Sequence, residues 1–316
     1  MRLRLVVALV AASALAACSA ILGIDYPPLR SDADAGDGAL PSPVHCSLTR
    51  LAQGSPCTAE CPHAFCDDFE DGGPSFPPWS APSGLANPVI YGDGGVAYVE
   101  PGSSGGTGLS CAVGTRAKGT AGAVLFDAIP ASAFGDPAQI DGERLAFDVQ
   151  FRRLAIDAGG PIADAGAGLV AAFASVSKEA NPPGPTLLVT DHRIYLAVSS
   201  DIFAGGDTSA VALVTDDTID VSRFVGTGTW SKMSIYSGSA SRARALGYVA
   251  CPDVPYVFAA SSFPGQGACI AAQDGYDVTA LAKDAALLLG TILRNTGDIE
   301  LAFDNVYVDV YTRSDP

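Results

Sequence analysis

Alternation of apolar and polar residues with a period of two constrains this chain most. Leu145, Phe147, Val149 and Phe151 alternate with Ala146, Asp148, Gln150 and Arg152. An extended strand sets such residues on opposite faces, so the first four are expected to be buried and the second four solvated. Residues 186–189 and 194–198 flank Asp191-His192-Arg193, and residues 285–293 and 299–303 flank a turn at Asn295-Thr296-Gly297. Both pairs read as hairpins. Helical periodicity is confined to residues 278–287, the one candidate for a short helix. Meandering antiparallel strands over about 250 residues suit a large two-sheet sandwich.

The last of these strands changes phase. Ile299, Leu301 and Phe303 share one parity and Val306, Val308 and Val310 the other, so the inward face switches at Asp304-Asn305. A β-bulge there reconciles the two halves and re-aims Asp304 and Asn305.

The amino terminus carries an address. Arg2 and Arg4 precede an apolar run over residues 5–14 and then Leu15-Ala16-Ala17-Cys18. The run is too short for a bilayer span of roughly 20 residues. Small residues before a cysteine instead read as a lipoprotein signal, cut after Ala17 with Cys18 lipidated. Residues 1–17 are then the signal peptide and 18–44 a lipidated tether. Its Ser31-Asp32-Ala33-Asp34-Ala35-Gly36-Asp37-Gly38 stretch is too polar to order itself. Ser19 is no acidic retention signal, which points to the outer membrane of a Gram-negative bacterium, on either face. A formal net charge of −16, with 18 scattered Lys and Arg, excludes nucleic acid as a partner. The acyl chains, not headgroup attraction, hold the protein to the lipid membrane.

Export sets the redox compartment. With Cys18 acylated, Cys46, Cys57, Cys61, Cys66, Cys111, Cys251 and Cys269 remain, an odd set that reads as disulfides with one thiol left over. Cys251 and Cys269 are expected to close one loop, and Cys111 to reach back to the amino-terminal cluster. The segment from Cys57 to Cys66, with His63, resembles a metal knuckle, but its spacing matches no zinc finger, and oxidation favours disulfides. His63 then reads as an exposed loop residue and residues 45–66 as a Cys-rich stalk. Hydrophobic residues make up 48 % of the chain, enough for one large core in residues 67–316.

Three further motifs fall in a consistent order. Phe65-Cys66-Asp67-Asp68-Phe69-Glu70-Asp71-Gly72 with Pro78-Trp79 opens the domain, Gly228-Thr229-Trp230 leads a middle strand, and Phe303-Asp304-Asn305-Val306 closes it. Together they resemble the concanavalin A-like lectin/glucanase superfamily, laminin-G-like jelly rolls, over roughly residues 65–312. The resemblance implies an all-β fold, a two-sheet antiparallel jelly-roll sandwich. It also implies core positions for Trp79 and Trp230, and a structural calcium held by Asp68, Glu70 and Asp304, whose alternative role is bonding to turn amides.

The glycosidases of that superfamily place paired carboxylates on one strand face. No such string occurs here; the nearest, Asp68-Phe69-Glu70, lies on the opening strand. Gly102-Ser103-Ser104-Gly105-Gly106 imitates a nucleophile elbow, but Pro, Ser and Gly surround it where strand and helix are required. His192 sits in a predicted turn with no nucleophile to serve. Tyr195, Tyr236 and Tyr307 lie on the polar parity of their strands, where phenols would stack on sugars or simply face solvent. The expected function is therefore a membrane-anchored, cell-envelope binding module for a glycan, without catalysis. The alternatives are a structural or protein-interaction lipoprotein, with an envelope protein as partner, and a glycoside hydrolase with atypical catalytic residues.

Overall fold

The computed structural model describes residues 57, 63–69, 89–91, 93–101, 111–129, 131–156, 168–175, 184–190, 192–199, 208–215, 220–262, 266–272, 285–293 and 297–314. Among them one sheet contains β1 (Phe65–Asp67), β3 (Gly95–Pro101), β4 (Cys111–Lys118), β6 (Ile140–Ile156), β11 (Trp230–Ser239), β12 (Tyr256–Ser262), β13 (Gln266–Ala271) and β15 (Gly297–Thr312). Its order is β13-β12-β11-β6-β15-β4-β3, with β1 also paired to β15. The second sheet contains β2 (Val89–Tyr91), β5 (Gly122–Ile129), β7 (Gly168–Ser175), β8 (Gly184–Val189), β9 (Ile194–Ser199), β10 (Thr208–Leu213) and β14 (Ala285–Ile292). Its order is β10-β9-β8-β7-β14-β5-β2. Every pairing is antiparallel, so the chain is an all-β sandwich of two sheets. No described helix is long and apolar enough to cross a membrane.

The alternation in β6 sets the core. Leu145, Phe147, Val149 and Phe151 are buried and join Met233 and Ile235 of β11, Phe258 of β12 and Phe303 of β15 between the sheets. The opposite face departs from expectation at three of its four positions: Ala146, Asp148 and Gln150 are at most 9 % exposed, while Arg152 is partly exposed. Strand parity assigns a residue to a face, but segments distant in sequence decide whether water reaches that face.

β15 shows the expected phase change. Ile299, Leu301, Phe303, Val306, Val308 and Val310 all lie in the core, and the register against β6 jumps between Asp304 and Tyr307 with Asn305 at φ 51°. Asn tolerates this left-handed conformation better than most side chains. β15 also changes partners there. Residues 298–303 pair with β4 and residues 306–308 with β1. The expected domain start at residue 67 therefore falls inside β1, whose Phe65 is already core.

The first predicted hairpin is present as β8–β9, closing at Val189 opposite Ile194. The second is not a hairpin. β14 pairs with β5 and β7 in one sheet and β15 with β4 and β6 in the other, so the two strands lie in different layers. Both segments alternate correctly, yet alternation carries no information on which strand lies alongside. The candidate helix at 278–287 is also corrected at its end, since Ala285 begins β14; residues 278–284 lie outside the described residues.

A short helix forms instead at Ala240–Ala245, here α1. Ser239 caps it, its Oγ accepting the Arg242 N–H at 3.2 Å. It covers a second apolar cluster on the outer face of the larger sheet, made by Tyr236, Ala240, Ala243, Tyr248, Val257, Ala259 and Tyr311. Gly142 sits opposite Gly238 in the ladder. A Cβ at Gly142 would run into the Tyr236 phenol, so the missing side chain makes room for that ring. Disulfide Cys251–Cys269 links the segment after α1 to β13, and Cys57–Cys66 closes a loop onto β1.

Candidate functional site

The outer face of the larger sheet carries most of the described polar chemistry. Beyond the bulge, Asp309 of β15 accepts hydrogen bonds from three sides. His63 Nδ1 stands 2.6 Å from Oδ1. Arg144 donates to Oδ2 through Nε at 3.1 Å and also through its terminal nitrogen, and the Tyr311 hydroxyl donates to Oδ2 at 3.3 Å. The Arg144 guanidinium lies 5.7 Å from the Tyr307 ring centre and 5.8 Å from that of Tyr311, and the His63 ring packs on Tyr307 at 4.6 Å. A cation over an aromatic face gains from the ring quadrupole as well as from its carboxylate.

Burial alone would push the Asp309 carboxyl up, but the His63 hydrogen bond and the Arg144 charge outweigh it and hold the group below the usual carboxylate range. Burial also opposes the Arg144 charge, and Asp309 overcomes that and keeps the guanidinium ionised. Burial pushes the Tyr307 and Tyr248 phenols up to about 12 each. These groups face one another rather than solvent: the His63 side chain is 1 % exposed. The cluster clamps the amino-terminal segment onto the sheet, with β1 in register beside it. His63 is thus not the exposed loop residue that its neighbours suggested. A histidine flanked by Cys and Pro gives no sign of a partner 246 residues away.

Towards the middle of the face Trp230 is partly exposed and Lys232 exposed, above buried Gln150 and Asp148. Trp230 lies opposite Gln150 and Lys232 opposite Asp148. Gln150 Nε2 donates to the Gly228 carbonyl at 2.7 Å while its Oε1 accepts from Arg152 Nε at 2.9 Å, so both ends of the amide are fixed. Asp148 Oδ2 accepts from Asn305 Nδ2 at 2.9 Å. Farther along, Arg116 forks onto Asp298 at 2.9 and 2.7 Å and Arg153 reaches the same carboxylate at 3.1 Å. The Arg116 hydrogen bond, helped by the Arg116 and Arg153 charges, outweighs burial and lowers the Asp298 pKa.

Two aromatic assignments reverse. Trp230, expected in the core, has the parity of exposed Lys232 and is partly exposed. Tyr236, expected on the surface, is fully buried beneath α1, its hydroxyl donating to the Ser239 carbonyl at 3.1 Å. Tyr307 does face outward but lies under His63 at 8 % exposure. Tyr195 is on β9 of the other sheet, so the three tyrosines form no single surface.

Of the expected calcium ligands only Asp68 and Asp304 are described, and among the described residues no three Asp, Glu, His or Cys could hold a metal. Asp304 is buried and accepts its neighbour's N–H from Asn305 at 2.7 Å, Asp68 is partly buried, and Glu70 lies outside the described residues. Trp79, Cys18 and the stretch from Gly102 to Gly106 also lie outside them, as does the side chain of Cys111. His192 is exposed and pairs with Asp220 at 3.2 Å. The Ser222 hydrogen bond, followed by that from His192, lowers the Asp220 carboxyl to about 2.

Two antiparallel sheets around one core make this protein an all-β sandwich. Solved structures similar to this chain are matched at very low identity. Alginate lyase vAL-1 from Chlorella virus is 8 % identical, over 71 % of this chain and 93 % of its own, with TM-score 0.40. The marine PL-14 alginate lyase from Aplysia kurodai is 12 % identical, over 70 % and 90 %, with TM-score 0.40. The CBM2 module of the evolved Dit of Lactobacillus casei BL23 phage J-1 is 10 % identical, over 79 % and 97 %, with TM-score 0.34. No family model matches the chain, and no curated protein matches its sequence.

Proposed function

We propose that this protein is an outer-membrane lipoprotein of a Gram-negative bacterium, tethered through acylated Cys18, whose concanavalin A-like sandwich binds a glycan without transforming it. One observation carries the binding assignment: partly exposed Trp230 stands opposite a Gln150 amide fixed at both ends, with Lys232 beside it on the same strand face. An aromatic platform next to pre-ordered hydrogen-bonding groups suits a sugar ring, which is apolar on its faces and hydroxylated at its edge. The non-catalytic assignment rests on the buried cluster, in which His63, Arg144, Tyr307 and Asp309 satisfy one another. A glycan-array screen of the protein tests the reading: binding that Trp230→Ala abolishes supports it, and release of reducing ends from a bound glycan overturns the non-catalytic part. Membrane retention lost in Cys18→Ala supports the anchor; unchanged retention refutes it.

Ile90 and Val96 favour a second reading, a protein-interaction surface. They are 46 % and 49 % exposed, on β2 and β3, which are edge strands among the described residues, and an edge invites another chain. Capture of an envelope protein that Ile90→Asp prevents, together with silence on glycans, would make that reading the better one.

A further inference from the structure

In a chain of formal net charge −16 the 18 Lys and Arg are scarce, yet besides buried Arg144 five of them lie on the outer face of the larger sheet. Arg116 and Lys118 come from β4, Arg152 and Arg153 from β6, and Lys232 from β11. The acids on this face lie deeper. Asp298 and Glu300 expose 15 % and 18 % of their side chains against 33 % for Arg116 and 52 % for Arg153, while Asp148 and Asp304 are at most 9 % exposed. A ligand approaching the face therefore meets cations first, with the carboxylates beneath holding the guanidinium groups in place.

Strand geometry gives the band its size. β4 and β11 are separated by β15 and β6, three steps that amount to about 14 Å across at ~4.8 Å each. In register, Arg116 stands at Glu300 and Lys232 at Asp148, which is opposite Asp304. Those four residues of β15 add about 13 Å along the strand, so the cations run diagonally for roughly 20 Å with Trp230 near one end. Such a band fits several consecutive residues of a chain, not a single sugar.

From this geometry we infer that the outer face of the larger sheet binds an anionic polysaccharide, its carboxylate or sulfate groups meeting Arg116, Lys118, Arg152, Arg153 and Lys232 while one ring stacks on Trp230. The inference rests on the glycan-binding reading and adds the charge of the ligand. The cations hold neighbouring acidic groups along the chain, and the aromatic ring supplies what a bare polyanion lacks.

The test uses the full chain in mild detergent, titrated with polygalacturonate, dextran sulfate, uncharged dextran and single-stranded DNA at low and high salt. Polygalacturonate or dextran sulfate should bind, whichever supplies the anion, and weaken about tenfold at high salt. Lys232→Gln and Arg153→Gln, both exposed changes, should each weaken it about threefold, and dextran should not bind. Dextran bound as tightly, with the charge variants silent, would overturn the anionic assignment and leave the glycan reading standing. DNA bound as well as the polysaccharides would overturn the inference in favour of an unselective polyanion surface. No saccharide bound at all would remove the glycan reading itself.

Discussion

Glu143→Leu should stabilise the sandwich, by an amount that grows with pH. Glu143 stands on β6 with the parity of Leu145 and Phe147, opposite Ser237 of β11 and Val310 of β15. It is fully buried, and neither carboxyl oxygen has a hydrogen-bond partner. Burial pushes its pKa well above the ordinary carboxyl value. The folded protein keeps the proton where the unfolded chain releases it near pH ~4.3. The contribution of Glu143 to stability is therefore greatest below that value and falls by about 1.4 kcal/mol per pH unit as pH rises towards the folded value. Leucine removes that slope together with a pH-independent cost of about 1–3 kcal/mol for two unpaired oxygens. Glu143→Gln removes the slope alone. Urea unfolding of the three proteins at about pH 4.5 and about pH 7.5 separates the effects. Variants whose advantage over wild type is the same at both pH values would refute the buried-proton account, and a destabilising leucine would refute the claim that the carboxyl is uncompensated.

Asp309→Asn leaves Arg144 buried without its carboxylate, and chemical denaturation should show a loss of about 3–5 kcal/mol. Because the folded Asp309 pKa is depressed, its contribution in the wild type is present above the ordinary carboxyl range and lost as pH falls through the folded value, so the variant should lose part of the wild type's acid sensitivity. Gly142→Ala drives a methyl into the Tyr236 phenol; overpacking of this kind should cost about 1–3 kcal/mol in a thermal melt, and Tyr236→Phe should relieve only part of it, because two ring carbons also lie 2.6 and 2.7 Å from the added methyl. Cys251→Ser with Cys269→Ser opens a loop with sequence separation 18. Loop-closure entropy puts the loss at about 3 kcal/mol by urea titration, and a loss far below that would mean the α1 cluster alone holds the loop.

Parts of this architecture were legible because their signals are local. The inward set of β6, the β8–β9 hairpin and the bulge at Asp304-Asn305 follow from alternation within a few residues, where the pleat fixes side-chain direction. The α1 helix was missed because six residues over Ala240–Ala245 show no apolar period. Only Ser239, followed by helix-forming Ala and Arg, signalled it. Trp230 and Tyr236 exchanged roles for a related reason. They share one parity on β11, and exposure at each end depends on what lies above: α1 over Tyr236, and side chains that stop short of covering Trp230.

Sequence alone determined the β class, the inward faces, the phase switch in the last strand and the oxidised pairing of Cys251 with Cys269. Each depends on neighbours along the chain or on cysteine spacing. Tertiary structure decided which strands share a sheet, that β14 and β15 part company, that Glu143 lies unpaired in the core, and that His63 and Arg144 both bond Asp309 across the fold. Those facts depend on contacts between distant segments, and a period of two places a side chain above or below its own sheet without saying what waits there.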